Sequence, residues 1–181
     1  MRFQKLVADK RVDVNLYSSK YHSTAILLLC RYNNSHSLYP CLKSLLTRED
    51  IKLDMFHYGK NPLMLLCRYY KLENELLDCI RLLIKRGVDC NRKSGLKGDV
   101  TALFLLSKYA RRSRYLIDAV RLLINDKSDL QEAEKSVEVL RKRGFAQEAD
   151  ILSQIIQSYR LRRGSVPNKV ILVLDYKLPF F

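Results

Sequence analysis

Three histidines, His22, His36 and His57, and five cysteines are the residues best suited to metal ligation or nucleophilic chemistry. Their spacing supports neither. No two histidines stand four residues apart, the arrangement by which a helix aims two rings at one zinc ion. The odd number of cysteines shows no Cys-x-x-Cys pair. Cys30 and Cys67 occupy equivalent points of a repeated block, as do Cys41 and Cys79, so stacking could gather such pairs around a metal. Ser107 and Ala119 replace them in the third copy, which favours packing, because a free cysteine behaves as a small apolar residue. The stretch "KSGLKGD" (93–99) has two glycines but lacks the Gly-x4-Gly-Lys-Ser/Thr of a phosphate cradle, and reads as a hairpin tip. A cysteine nucleophile needs an activating base and an oxyanion site, and no such arrangement is visible. The sequence predicts a non-enzyme with no catalytic residue, no metal and no cofactor.

A different spacing points to binding. The pairs Arg31-Tyr32, Arg68-Tyr69 and Lys108-Tyr109 recur at intervals of 37 and 40 residues. If their segments stack, a basic column runs beside an aromatic one. Tyr and Arg are enriched in interface hot spots because they combine contact area with directional donors. The competing reading is that the rings fill space between helices and merely preserve the stack. A second basic and aromatic cluster comprises Tyr17, Lys20, Tyr21, Phe56, His57, Tyr58, Lys60, Lys93 and Lys97.

The elements that must position these residues repeat with them. "TAILLLCRY" (24–32), "NPLMLLCRY" (61–69) and "TALFLLSKY" (101–109) are each followed by a second apolar segment, "CLKSLL" (41–46), "CIRLLI" (79–84) and "AVRLLI" (119–124). Each is preceded by an Asp-x-polar element: "DVNL" (13–16), "DIKL" (50–53) and "DCNR" (89–92). Both apolar segments read as helices. Ile80, Leu83 and Ile84 give an i, i+3, i+4 stripe, with Lys85 and Arg86 in its last turn and Gly87 as the stop. Pro62 suits a first helical turn. The polar stretches 53–60 and 92–99 suit turns or hairpins. A single helix pair cannot bury its apolar face alone, so each must stack on the next.

These motifs resemble ankyrin repeats. Thr24-Ala25-Ile26-Leu27, Asn61-Pro62-Leu63-Met64 and Thr101-Ala102-Leu103-Phe104 are similar to the Thr-Pro-Leu-His start of that family, and Gly87-Val88-Asp89-Cys90-Asn91 and Val12-Asp13-Val14-Asn15 to its Gly-Ala-Asp-Val-Asn ending. The resemblance covers roughly residues 1–128. Leu27, Met64 and Phe104 replace the motif histidine. The period exceeds the usual ~33 residues, which predicts a longer first helix or a longer loop between the helices. The resemblance implies an all-α solenoid of stacked helix pairs. It also implies that Arg31, Tyr32, Arg68, Tyr69, Lys108 and Tyr109 line the concave face, with Tyr21, Phe56 and Tyr58 at the hairpin tips.

Residues 1–12 read as a half repeat, with Phe3, Leu6 and Val7 as a minimal cap unless a longer array is in question. Full repeats then span about 13–49, 50–88 and 89–128. Ser128 to Glu132 carries N-cap and capping-box chemistry. It opens a C-terminal helical cap over 129–160, with helices at 130–142 and 145–159 broken at Gly144, packing through Val137, Leu140, Ala149, Leu152, Ile155 and Ile156. The tail, 161–181, includes the apolar run Val170–Leu174, read as a strand, a docked segment or a sticky end.

Hydrophobic residues make up 48% and charged residues 29% of the 181, a globular composition. No apolar run reaches the ~20 residues needed to span a bilayer, and the start, "MRFQKLVADK", lacks the apolar core of a signal peptide. Reduced thiols then suggest an intracellular protein of the cytoplasm or nucleus. The formal net charge is +14, and residues 1–128 hold 24 Lys/Arg against 12 Asp/Glu, so the excess sits on the repeats. The sequence thus predicts a non-catalytic adaptor that binds an acidic protein surface. A nucleic-acid binder that uses the Arg/Tyr columns for phosphates and bases is the alternative.

Overall fold

The computed structural model describes residues 2–70, 73–95, 100–111 and 113–164. Among them are nine helices: α1 (Arg2–Ala8), α2 (Ala25–Tyr32), α3 (Leu38–Leu45), α4 (Pro62–Tyr69), α5 (Glu73–Lys85), α6 (Ala102–Tyr109), α7 (Leu116–Leu123), α8 (Leu130–Lys142) and α9 (Ala146–Gly164). The architecture is an all-α, ankyrin-like solenoid in two layers. The first helices α2, α4, α6 and α8 pack side by side in chain order, and α1, α3, α5, α7 and α9 form the second layer. The core runs between the layers. Because α4 has neighbours on three sides, Pro62 to Cys67 are all buried, the pattern of a helix apolar all round.

Local chemistry fixes the helix ends. Asn61 caps α4, its side chain accepting from the backbone N–H of Met64 at 2.8 Å, and Pro62 occupies the position where a missing N–H is harmless. Thr101 caps α6 through Phe104 at 3.2 Å, and Asp129 caps α8 through Gln131 and Glu132 at 3.0 and 3.2 Å. After α5, Gly87 adopts φ +89° while the Val88 N–H reaches back to the Leu83 carbonyl at 3.0 Å, the C-terminal closure that its position predicted.

The Asp-x-Asn element has two separate jobs. Asp13 and Asp89 fold their own turns, accepting from the N–H of Asn15 and Asn91 at 2.8 and 2.9 Å. The asparagines reach the next unit: Asn15 donates to the Asp50 carbonyl at 2.7 Å, and Asn91 to the side-chain oxygen of Asn125 at 3.0 Å. The hairpins are minimal, held by single bridges at Ser18–Ser23 and His57–Lys60.

Several expectations need correction. The surplus period does not lengthen the first helices, which span eight residues each. It lies partly in α5, 13 residues against eight in α3 and α7, and otherwise in the connections at 33–37 and 110–115. In α1, Val7 is buried and Phe3 packs against the core, but Leu6 is 56% exposed because it faces away from α3. The last helix continues to Gly164, past the 159 expected and into the stretch read as tail. The run Val170–Leu174 lies outside the described residues.

Candidate partner-binding face

The three Arg/Lys-Tyr pairs end α2, α4 and α6 in register, and stacking interleaves them. The Arg31 guanidinium lies 5.0 Å from the Tyr32 ring centre and 5.4 Å from that of Tyr69 in the next repeat. Arg68 lies 5.2 Å from Tyr69 and 4.9 Å from Tyr109. Lys108 lies 5.7 Å from Tyr109. The order along the stack is therefore Tyr32, Arg31, Tyr69, Arg68, Tyr109, Lys108. Cation and ring alternate in one ladder rather than in the two parallel columns expected from the sequence. Each shared ring is a cation–π contact across a repeat boundary, of order 0.5–2 kcal/mol depending on solvation. Tyr69, held between two guanidiniums, is half-buried, whereas Tyr32 is 61% and Tyr109 41% exposed. The packing role and the surface role thus fall on different rings of one motif.

The hairpin tips divide in a similar way. Tyr21 and Tyr58 are exposed, and Tyr58 stands 5.9 Å from Arg31, which joins the second tip to the ladder. Phe56 is half-buried beneath Arg92, at 4.9 Å. The grouping of His57 with the exposed tip residues is wrong, because its ring is buried. Nδ1 lies 3.2 Å from the His22 carbonyl, and Arg31 donates to Nε2. A ring that donates from Nδ1 and accepts at Nε2 is neutral. Burial lowers its pKa first, against the carbonyl bond that raises it, and the nearby Arg31 and Lys60 charges lower it further. Lys60 is likewise lowered, by burial and then by Arg68 and Arg31. Positive charge is therefore crowded at this end of the ladder.

Several other cations of the fold tie units together. Arg48 donates to the carbonyls of Val7, Asp9 and Val12 at 3.0–3.2 Å and pairs with Asp50. Arg86 holds the Arg48 carbonyl, Arg143 those of Ser107 and Ala110, and Arg163 those of Asn125, Asp126 and Ser128. Each reaches back onto the preceding unit's carbonyls, a use that sequence reading missed. On the second layer Arg81 pairs with Asp78 and Arg121 with Asp118. Lys93, counted among the tip cations, pairs with Asp129 at 3.1 Å. Arg31, Arg68, Lys108 and Arg111 have no carboxylate partner among the described residues, a property they share with Lys43 and Lys85 of the second layer.

The cysteines sit in the core. Cys30, Cys67, Cys79 and Cys90 are buried and Cys41 is partly exposed; all five are free thiols. Desolvation pushes the thiols of Cys30, Cys67 and Cys90 up, and that of Cys79 up to about 12, well away from the thiolate form that ligates or attacks. Among the described residues no group of three or more His, Cys, Asp or Glu side chains could hold a metal, and no helix is long and apolar enough to cross a membrane.

Residues 58–95, from the second hairpin tip through α4, α5 and the following turn, match the family model of the ankyrin repeat. No curated protein and no solved structure matches the chain.

Proposed function

We propose that this chain, an ankyrin-repeat protein built as an all-α solenoid, is a non-catalytic adaptor that binds an acidic protein surface through its ladder face and hairpin tips. Ankyrin repeats generally mediate protein–protein interaction. The observation that carries the finer reading is the ladder itself, a row of cations without carboxylates held against aromatic rings. Arg31, Arg68 and Lys108 stand in register on one face, each against the rings of its own and the next repeat's tyrosines or, for Lys108, its own alone, and none has a described carboxylate partner. A carboxylate-bearing partner would meet arginines already held in place by rings, so that little side-chain entropy is lost on binding. The contact set comprises Arg31, Tyr32, Arg68, Tyr69, Lys108 and Tyr109, with Tyr21, Phe56 and Tyr58 at its edge. The uniformly reduced thiols fit an intracellular setting, in cytoplasm or nucleus.

Single-stranded nucleic acid is the competing ligand. It is the weaker reading because Tyr69 and Tyr109, whose faces a base would need, are each flanked by two cations. The test uses Lys108→Glu combined with Tyr32→Ala. Both positions are exposed, so stability should change by only ~0.5 kcal/mol per site. Affinity capture from lysate, quantified against wild type, should lose an acidic partner while the melting curve is retained. Unchanged capture would place the site elsewhere. Tight binding of random single-stranded DNA with a steep salt dependence would favour the alternative.

A further inference from the structure

Beside the ladder, the ends of α4 and α6 and the starts of α5 and α7 enclose a cavity of about 130 Å³. Leu76, Leu77, Leu106, Leu116 and Ala119 supply its apolar wall, Tyr70, Tyr109 and Tyr115 its rings, and Arg68 and Arg111 its cations. No Asp or Glu is among its described lining residues, and the nearest carboxylate in the described contacts, Glu75, accepts from the Tyr70 hydroxyl at 2.9 Å. Arg68 and Tyr109 belong to both the cavity and the ladder, so the two form one continuous surface.

We infer that this cavity takes one bulky apolar side chain, aromatic or branched aliphatic, of an acidic partner segment that lies along the ladder. The inference rests on the adaptor reading above and adds the segment's chemistry. An apolar cavity near 150 Å³ accommodates a benzene-sized group, so the volume here suits a single ring or a leucine. The charge selects which segment delivers it. Arg68 and Arg111 have no described carboxylate partner, and burying an apolar anchor between them favours neighbours with negative charge over basic or neutral ones. Hot spots form where such an anchor fills a pocket ringed by contacts that exclude water.

The probe is a displayed library of random twelve-residue peptides, selected on the full chain. The expected result is enrichment of peptides with one Phe, Leu, Ile or Trp flanked by Asp or Glu. A selected peptide, made synthetically, is then titrated against three variants. Ala119→Leu fills the cavity from a helical position and should weaken binding about tenfold or more, with the melting temperature kept or raised. Arg111→Glu tests the rim from an exposed position and should weaken it too, so the inference stays testable if Ala119→Leu fails to fold. Lys108→Glu with Tyr32→Ala tests the ladder alone. Retained affinity in Ala119→Leu and Arg111→Glu, with loss in the ladder variant, would overturn the cavity and leave the adaptor reading standing. Failure to enrich any acidic peptide would overturn both. Competition by a synthetic peptide of residues 166–181, or a dimer that Ala119→Leu abolishes, would assign the cavity to this chain's own segment or to a second copy and overturn the inference.

Discussion

Arg31 donates to Nε2 of His57 across 26 residues of sequence, so a ladder arginine and a hairpin-tip histidine hold each other in place. The imidazole can accept that bond only while neutral. Protonation would set a second cation against the guanidinium.

The first prediction follows from that pair. The folded-state pKa of His57 lies below its ordinary value of 6.5, so the unfolded chain takes up the proton more readily. The stability contributed by the neutral ring is therefore complete above pH ~6.5 and declines as pH falls from there toward the folded-state pKa. Between pH 7.5 and 5.5, wild type should lose more stability than His57→Gln. Equal losses in denaturant titrations would show that the ring does not report on the fold.

The ladder positions should separate in their effects on stability. Arg31 contacts three rings and the buried histidine, whereas Lys108 is exposed beside one ring. Arg31→Glu should cost roughly 1–3 kcal/mol, and Lys108→Glu no more than about 0.5 kcal/mol. A double-mutant cycle between Arg31→Ala and Tyr69→Ala should give a coupling of about 0.5–1 kcal/mol. A coupling near zero would mean that the rings and cations are neighbours without being partners.

Leu83 has no exposed surface and sits in α5, packed between α3 and α7. Leu83→Ala should destabilise by ~2–5 kcal/mol, the range for a leucine deleted from a close-packed core. Chemical denaturation would expose the error if the midpoint stayed put.

Thiol titration should be biphasic. Cys41 is the one partly exposed cysteine, and the other four are buried and far from the thiolate form. One thiol should react quickly in the native protein and all five after unfolding. Fast reaction of three or more in the native protein would contradict the packing described here.

The helices were legible because their signals are local. A cap residue, a stripe and a stop can all be read within about a dozen residues, as at Asn61, Leu63 to Leu66 and Gly87. The ladder pairs were legible as a recurrence, but not their interleaving. Spacing shows that Arg31 and Arg68 share a column, and it cannot show that each tilts onto the following repeat's ring. His57 was unreadable for the same reason: its neighbours in sequence are polar tip residues, and what buries it comes from Arg31 and His22 in the previous unit. The backward-reaching Arg48, Arg86, Arg143 and Arg163 look like ordinary surface charge until the carbonyls they cover are seen. In α1 the stripe is narrower than the sequence suggests, since α1 packs on α3 alone and one neighbour covers Val7 but not Leu6.

The alternation along the ladder has an asymmetry at its two ends. Tyr32 opens the series with a ring over which, among the described cations, only its own arginine stands, and Lys108 closes it with an ammonium whose described ring partner is Tyr109. One terminus is greasy and the other charged. A segment that matched it in one direction would, if reversed, set its carboxylates against a bare ring and its apolar groups against a hydrated cation. The surface thus has a head and a tail, and anything that lies along it must arrive pointing one way.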